Sequence, residues 1–371
     1  MAVGLLPALG SGLGEMRQTG QESRLIDGYF RPYARAFGEL RYFSYLPESL
    51  HEFTEDRELL DCVRVFAPAG PMWRGRRAVG MTRAHAAELK SCGLLRVFQI
   101  TGVIPALIAN SRWGIPYVTT YGFSYAQLSQ PGPKRVLKGF VERLGLKRAT
   151  AVIATTEELR SLAARFARRV ELIPNGVDTA LFSPRDGARR APAGPRRILY
   201  VGRLSPEKNL ETIIAATSYL ADAAMDVMVG SGLLRDRLAE LARDKNVAAE
   251  FPGVVDQRQL PAVYGAADVF VLASFTEGHP KALLEAMACG LPCVASNRGG
   301  NVSLVTDGET GLLFDPHDPK ALAGCLERVL SDAALAERLG RAARELIIAR
   351  YDLRALVARE IDLLRLLYSR R

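Results

Sequence analysis

Short runs of β-branched and other apolar residues alternate with helix-like segments along the chain, and this alternation is the feature that most restricts the fold. It is typical of parallel sheets flanked by helices. We expect two series of strands, the first near Ala2–Leu6, Arg41–Tyr45, Val63–Ala67, Leu95–Ile100, Pro116–Thr119 and Ala151–Ala154, and the second near Ile198–Val201, Asp226–Val229, Ala249–Phe251, Val269–Ala273, Cys293–Ala295 and Gly311–Phe314. The sequence therefore predicts an α/β protein with two parallel sheets.

A segment rich in proline, glycine and arginine separates the two series. Ser183–Arg197 has no apolar periodicity, which is typical of an interdomain linker. A chain of 371 residues also suits two domains of ordinary size. Leucines at helical spacing predict a final helix. We expect a first domain over residues 1–182, a linker over 183–197, a second domain over 198–350 and a C-terminal helix over 351–371.

Positive charge is concentrated in the first half of the chain. Through residue 190 the sequence has 27 Lys and Arg against 17 Asp and Glu, a balance of +10, and the remainder has 22 against 23, a balance of −1. Such an excess fits an anionic partner, such as a membrane surface, a phosphorylated lipid or nucleic acid, and high arginine usage alone would also produce it. Because interleaved surface aromatics are lacking, we expect no nucleic-acid partner.

The segment Pro133–Arg148 combines basic residues with apolar residues at helical spacing. Two interpretations fit this pattern. The helix either lies on anionic lipid, which would give the protein a peripheral contact with a membrane surface, or packs its apolar stripe on the sheet as an ordinary surface helix. The sequence leaves both open.

The cysteines and the apolar runs indicate the compartment. The five cysteines are scattered and no histidine or cysteine cluster has zinc spacing, so we expect no metal site. No Lys or Arg precedes the N-terminal apolar run, which favours a buried strand over a signal peptide. The longest apolar stretch of the first half, Val97–Ala109, is shorter than the roughly 20 residues that span a bilayer. We therefore expect a cytoplasmic protein, peripheral on the inner face of the cell membrane if the basic helix contacts lipid.

Two cations follow the first strand of the second series. In VGRLSPEKNLE, Gly202 allows a tight exit from the strand, and Arg203 and Lys208 come five residues apart. Ser205 can cap a helix that has Pro206 at its first position and Lys208 in its first turn. Because arginine offers a fork of donors to phosphate oxygens and lysine a compact charge, this arrangement suits a diphosphate. An exposed basic turn would contain the same residues.

Two glutamates flank the start of a later helix, in SFTEGHPKALLEAMACGLP. Glu277 lies in the loop after a strand, the helix begins at Pro280, and Glu285 lies on the helix. The amides at the helix N-terminus provide a second anion site. Carboxylates accept hydrogen bonds from neighbouring hydroxyls, which suits the diols of a sugar or ribose. The plain alternatives are a capping role for Glu277 and a solvated helix position for Glu285.

Two glycines, Gly299 and Gly300, follow the next strand in ASNRGG. Because glycine lacks a Cβ, they would let the backbone approach a ligand closely. On its own this piece is more typical of an ordinary loop.

Taken in order and spacing, these segments resemble the retaining GT-B glycosyltransferases of family 4. The resemblance is close over roughly Arg148–Leu330 and loose over the first 145 residues. It rests on LIPNGVDTALFSP, VGRLSPEKN, VGSGLLRDRL, FPGVVDQRQLPAVYGAADVFVLAS, the glutamate pair of EGHPKALLE and the following RGG. It implies a GT-B fold, in which two Rossmann-like parallel-sheet domains face each other across a cleft and the last helix packs back on the N-terminal domain.

The resemblance also implies a role for each candidate residue. Arg203 and Lys208 would hold the donor diphosphate and stabilise the charge that develops as it leaves. Glu277 would contact hydroxyls of the donor sugar, and Glu285 would bind the ribose of the nucleotide. The remaining donor-binding positions would be Gly12, Gly202, Gly278, His279, Pro280 and Lys281.

Two positions of the first half depart from the expected motifs. The glycine loop that contains Gly12 is not a dinucleotide fingerprint, because Glu15 stands where the third glycine belongs. Family members often have a histidine near the donor sugar after the strand at Pro116–Thr119, where this chain has Tyr121. A tyrosine can donate a hydrogen bond but is not a histidine-like base. The departure concerns the first half alone and leaves the donor-site prediction unaffected.

The implied activity is transfer of a sugar, with retention of configuration, from a nucleotide-diphosphate donor to a saccharide or lipid-linked acceptor in cell-envelope polysaccharide or glycolipid synthesis. The donor is a co-substrate, and neither a cofactor nor a metal is implied. One alternative is a GT-B nucleotide-sugar epimerase, which needs an acid and a base near the sugar. Another is a non-catalytic GT-B homologue that acts as a binding subunit. The intact set of Arg203, Lys208, Glu277 and Glu285 favours the transferase.

Overall fold

The computed structural model describes residues 2–68, 74–124, 132–184, 194–220 and 224–369, without the side chains of residues 74–77 and 134. The chain divides into two compact units. The first comprises Met1–Pro174 with Ala355–Arg371, and the second comprises Asn175–Arg354. Each unit is built on a parallel sheet with helices, so the α/β prediction is confirmed.

The first unit contains a seven-stranded sheet within the described residues. Its strands are β1 Ala2–Leu6, β2 Leu40–Phe43, β3 Val63–Phe66, β4 Cys92–Val97, β5 Tyr117–Tyr121, β6 Ala151–Ala154 and β7 Val170–Leu172. The order is β3-β2-β1-β4-β5-β6-β7 and all neighbours are parallel. Every residue of β1, β4 and β5 is buried, which is why most residues of these strands are apolar, with Arg96, Thr119 and Thr120 as buried exceptions.

Helices cover both sides of this sheet. They are α1 Leu13–Gln18, α2 Glu22–Leu25, α3 Arg31–Phe37, α4 Arg57–Cys62, α5 Arg74–Ala84, α6 Ala86–Lys90, α7 Val103–Trp113, α8 Pro133–Arg148 and α9 Glu157–Ala164. The connections from β1 to β3 move one way along the sheet, and those from β3 to β7 move the other way. Because such crossovers are right-handed, α1 to α4 lie on one side and α5 to α9 on the other.

The second unit contains a six-stranded parallel sheet of order β10-β9-β8-β11-β12-β13 within the described residues. The strands are β8 Arg196–Val201, β9 Ala224–Val229, β10 Ala248–Gly253, β11 Val269–Leu272, β12 Cys293–Ser296 and β13 Leu312–Phe314. The helices are α10 Leu210–Thr217, α11 Arg235–Asp244, α12 Leu260–Gly265, α13 Lys281–Ala288, α14 Pro319–Ser331 and α15 Ala333–Tyr351. The last helix of the chain, α16, runs over Leu353–Tyr368.

The division between the units differs from the expected boundary at residue 182. The first unit ends at Pro174. The segment after it belongs to the second unit because the amide of Val177 donates to the carbonyl of Tyr351 at 2.9 Å and Phe182 is fully buried in that unit's core. Because the segment is short and contains a turn, the sequence alone does not indicate that it belongs to the second unit.

The expected linker and final helix also have different limits. Residues 185–193 of the linker lie outside the described residues, and β8 already begins at Arg196. The predicted helix over 351–371 starts instead at Leu353, because α15 continues to Tyr351. Residues Ala355–Arg371 belong to the first unit.

Candidate functional site

Two adjacent strands bring the predicted donor-site residues of the second unit together. β8 and β11 are parallel neighbours, so the loops that follow them leave from the same edge of the sheet. The first loop carries Arg203 and Lys208, and the second carries Glu277. The amide of Phe275 donates to the carbonyl of Glu207 at 3.0 Å and thereby joins the two loops.

Lys208 and Glu277 form an ion pair within this edge. The Nζ atom of Lys208 lies 2.6 Å from Oε1 of Glu277, and the side chains are only 16% and 11% exposed. Ser274 donates its hydroxyl to the same oxygen at 2.6 Å. Charge-assisted hydrogen bonds that are shielded from water are strong. Glu277 therefore fixes the position of the ammonium group, and Ser274 fixes Glu277.

Arg203 lies at the exposed rim of the same edge. Its guanidinium pairs with Glu207 at 3.1 Å, and 73% of the arginine side chain is exposed. An exposed pair of this kind contributes little to stability, about 0–1 kcal/mol. The guanidinium is therefore held loosely and is accessible to an anion.

The helix predicted to begin at Pro206 does not form there. Pro206–Lys208 make a single 3-10 turn, and α10 begins only at Leu210. Asn209 causes the break, because its φ is 54° and its side-chain amide donates to the carbonyls of Ala273 and Pro316 at 3.1 and 2.8 Å. Lys208 thus lies on a turn that Asn209 ties to the carboxyl end of β11.

The charged side chains at this edge of the sheet act on two shared neighbours, Tyr200 and Glu207. Burial raises the pKa of Tyr200 above its ordinary value, and the charges of Glu277, Arg203 and Glu207 also act on it. Partial burial opposes the ionisation of Glu207, but hydrogen bonds to it and the charges of Arg203 and Lys208 hold its pKa below the usual value. Since Arg203 pairs with Glu207 and the adjacent Lys208 pairs with Glu277, we call Arg203, Lys208 and Glu277 the cluster.

Helix α13 begins directly after the Glu277 loop, with Pro280 in extended conformation at its N-cap. The positive end of its dipole therefore lies beside the cluster. Glu285, one turn inside, is buried, and Tyr264 donates to its Oε2 at 2.9 Å. Burial and the charge of Glu285 raise the pKa of Tyr264. Glu285 is thus not a solvated helix position.

The other predicted donor-binding positions of this unit lie around the same edge. Gly278 and Lys281 are exposed, whereas His279 is buried. The carbonyl of His279 accepts a hydrogen bond from the Asn175 amide at 3.0 Å. Gly202 follows β8 directly, and its amide donates to the carbonyl of Val229 in β9 at 2.9 Å. In both His279 and Gly202, a backbone group makes a hydrogen bond within the second unit.

Gly299 and Gly300 lie beside another part of the site. Both pack against the loop that carries Glu277. A Cβ on Gly299 would lie 2.5 Å from the Glu277 carbonyl oxygen, and one on Gly300 would lie 1.8 Å from that of Gly278. The amide of Gly300 also donates to the Glu277 carbonyl at 2.8 Å. The two glycines therefore position the acidic loop.

The glycine loop of Gly12 lies in the first unit and is occupied by an internal carboxylate. Glu48 accepts hydrogen bonds from the amides of Leu13 and Gly14 at 2.9 and 2.7 Å and from the hydroxyl of Ser44 at 2.5 Å. A Cβ on Gly12 would lie 2.6 Å from the Glu48 carboxylate. In this structure the loop amides thus bind Glu48, whose position 34 residues away from Gly14 gave no signal in the sequence.

Tyr121, at the position where the family often has a histidine, points into the first unit. Its hydroxyl donates to Glu142 at 2.8 Å, and Ser124 donates to the same oxygen at 3.2 Å. Burial raises the pKa of Tyr121 above its ordinary value. The side chain therefore links β5 to α8.

Two further features concern metals and membranes. In the part of the chain that the structure describes, no group of three or more His, Cys, Asp and Glu side chains is arranged to hold a metal ion. Over the same residues, no helix has the length and hydropathy needed to cross a bilayer.

Two family models match the chain. Residues 186–346 match the model described as Glycosyl transferases group 1, and residues 45–181 match the model described as Glycosyltransferase Family 4. The D-inositol 3-phosphate glycosyltransferase of Salinispora arenicola is 36% identical over 273 residues, which are 64% of this chain and 60% of that relative. The match therefore spans about three-fifths of the relative's length.

Solved structures resemble the chain over nearly its whole length. Sucrose-phosphate synthase from Thermosynechococcus elongatus matches with a TM-score of 0.85 and 25% identity, over 100% of both chains. HepE of Anabaena in complex with UDP-glucose matches with a TM-score of 0.78 and 18% identity, over 98% of this chain and 99% of that one, and shares the fold. With both sheets and both family models in agreement, the chain belongs to the group 1 glycosyltransferases of the GT-B fold.

Proposed function

We propose that the protein is a glycosyltransferase that moves a sugar, with retention of configuration and without a metal ion, from a nucleotide-diphosphate donor to a saccharide or lipid-linked acceptor. We propose cell-envelope polysaccharide or glycolipid synthesis as the process in which it acts. The observation that carries the proposal is the cluster of Arg203, Lys208 and Glu277 at one sheet edge, beside the N-terminus of α13.

The cluster suits a leaving diphosphate. Negative charge accumulates on the diphosphate as the bond between its oxygen and the anomeric carbon breaks. The oxygen of the acceptor hydroxyl bonds to that carbon, and its proton passes to the departing diphosphate. Arg203 and Lys208 stabilise this charge, and because Glu277 already holds Lys208 in place, little reorganisation is needed during the reaction. Glu277 also accepts hydrogen bonds from donor-sugar hydroxyls.

Glu285 binds the nucleotide ribose in this proposal. Tyr264 holds one of its carboxylate oxygens and so orients the group. A buried carboxylate that accepts ribose hydroxyls gains from the low local dielectric, which strengthens such bonds. The same burial makes the position sensitive to substitution by a shorter side chain.

A screen of thermal stability against UDP-, GDP-, ADP- and dTDP-sugars tests the proposal, followed by donor hydrolysis with and without EDTA. UDP-glucose is the first donor to try, because the fold neighbour HepE was crystallised with it. We expect stabilisation by one nucleotide class and slow hydrolysis that EDTA does not abolish, with the product anomer identified by NMR. Stabilisation without any turnover would instead favour a non-catalytic binding subunit, and inversion at C2 or C4 of the donor sugar would favour an epimerase.

We propose that the enzyme works in the cytoplasm, peripheral on the inner face of the cell membrane, where a lipid-linked acceptor is available. The basic first half of the chain supports this location. Vesicle binding, described below, tests it separately from catalysis.

A further inference from the structure

Three helices of the first unit lie side by side on one face of its sheet. The right-handed crossovers place α5, α7 and α8 on the same side. α5 packs against α7, and α7 packs against α8. The outer surface of these three helices is called the α5–α7–α8 face below.

The charge of the α5–α7–α8 face has a single sign at the surface. Its exposed basic residues with described side chains are Arg83, Arg112, Arg135, Arg143, Lys147 and Arg148, with Lys138 half-buried. Among the described side chains of these helices the one acid is Glu142. It is buried and accepts hydrogen bonds from Tyr121 and Ser124, so its charge does not offset the basic residues at the surface.

Apolar side chains project from the same face. Val136, Leu137 and Phe140, on the first two turns of α8, are 74%, 64% and 63% exposed. The opposite side of α8 is covered by the protein, because Leu146 lies in the core of the first unit and Val141 packs against that core. α8 therefore packs on the first unit with one stripe and exposes a second apolar group, and the lipid contact stays a prediction.

A groove between α5 and α7 adds a further apolar site to the face. Its volume is about 440 Å³. Its apolar lining comes from Val79, Leu107 and Trp113, and Arg83 and Arg112 also line it. No acidic residue is among the described residues that line the groove. Two guanidinium groups beside an apolar groove match the phosphate and the acyl chain of one phospholipid.

We propose that the α5–α7–α8 face docks on an anionic phospholipid bilayer, with Val136, Leu137 and Phe140 inserted at the interface and a lipid phosphate held by Arg83 and Arg112. A bilayer interface takes both cations and exposed apolar side chains, which is the composition of amphipathic surface helices. Nucleic acid would match the charge but would leave the three apolar side chains without a partner. The inference deepens the proposed function by defining the membrane contact. The purpose of that contact, access to a lipid-linked acceptor, rests on the proposed function.

Flotation with vesicles tests the surface. The full-length protein is mixed with vesicles of phosphatidylcholine alone or with phosphatidylglycerol, at low and high salt. We expect binding only to the phosphatidylglycerol vesicles and weaker binding at high salt. The double variant Arg83→Gln with Arg112→Gln should bind about 25-fold more weakly, at about fivefold for each charge removed. Leu137→Ser with Phe140→Ser should lose at least tenfold and keep a similar salt dependence.

A matched control uses exposed arginines on the opposite side of the same sheet. Arg35 on α3 and Arg57 on α4 are exposed, and Arg35→Gln with Arg57→Gln removes the same charge as the first double variant. We expect vesicle binding close to that of the unmodified protein. Thermal unfolding of all variants checks that they fold.

Three outcomes would overturn the proposal. They are absence of binding to anionic vesicles, equal loss of binding in the control and the test variants, and salt-sensitive binding to RNA without binding to vesicles. Donor hydrolysis in vesicle-free buffer is measured on the same preparations. For the unmodified protein, absence of binding to anionic vesicles with normal hydrolysis refutes the docking surface alone, and absence of hydrolysis with normal vesicle binding refutes the catalytic proposal alone.

Discussion

Arg203→Ala should separate catalysis from stability more cleanly than any other substitution in the cluster. Its side chain is 73% exposed and its ion pair with Glu207 spans four residues, so removal should change the free energy of unfolding by less than about 1 kcal/mol. Loss of one preorganised cation from a leaving group costs about a hundredfold in turnover, or about 2.7 kcal/mol. Lys208→Ala is less informative, because it leaves the largely buried Glu277 without its counter-ion.

Arg237 provides the matched control for this experiment. It lies in the same unit, is 72% exposed and pairs with a glutamate, Glu211, at 3.6 Å. We expect Arg237→Ala to leave both turnover and stability unchanged. The assay is donor hydrolysis at saturating donor, with urea denaturation of the same preparations. Near-normal turnover in Arg203→Ala, or an equal loss in Arg237→Ala, would refute the assignment of Arg203 to the leaving diphosphate.

Three further predictions concern stability. Burial raises the pKa of Asp226 to about 7, so the folded protein keeps a proton that the unfolded chain loses above about pH 4. The free energy of unfolding should therefore fall by about 1.4 kcal/mol per pH unit up to pH 7. The Asp226→Asn variant should lack this slope in urea denaturation, and an unchanged slope would contradict the assignment. Gly12→Ala should destabilise the first unit by about 2 kcal/mol, because the added Cβ would overlap the Glu48 carboxylate; an unchanged midpoint in urea would contradict it. Glu360→Gln should cost about 3 kcal/mol, because it leaves the buried Arg96 guanidinium unpaired, and adding Arg96→Met should recover most of that loss, which tryptophan fluorescence in urea can measure.

The sequence predicted the fold well because parallel strands are buried on both faces. The expected strands are all present, with ends that differ by up to three residues, as for β4, expected at Leu95–Ile100 and found at Cys92–Val97. β7, Val170–Leu172, was not predicted, because it is short and half-buried and so lacks a continuous apolar run. The boundary at Pro174 was missed for a related reason: hydrogen bonds to residues far along the chain define it.

The sequence was less informative about how the candidate residues are paired. Arg203, Lys208 and Glu277 were identified from their motifs, but the ion pair of Lys208 with Glu277 joins residues 69 positions apart and depends on β8 and β11 being neighbours. Glu207, by contrast, lies four residues after Arg203, and this spacing could have been noticed as a local ion pair. Partners that adjacent strands bring together become visible only once the strand order is known.

Each cation of the cluster has an internal counter-ion before any donor arrives, and the two pairs differ in a way that bears on binding. The pair of Arg203 with Glu207 is exposed and weak, so a diphosphate can replace Glu207 at little cost. The pair of Lys208 with Glu277 is largely buried, and breaking it would leave a desolvated carboxylate. The donor diphosphate should therefore replace Glu207 as the partner of Arg203, and it should bind Lys208 while the ion pair of Lys208 with Glu277 remains. High salt should then weaken donor binding mainly through Arg203, and the Arg203→Ala variant should bind its donor with a smaller salt dependence than the unmodified enzyme.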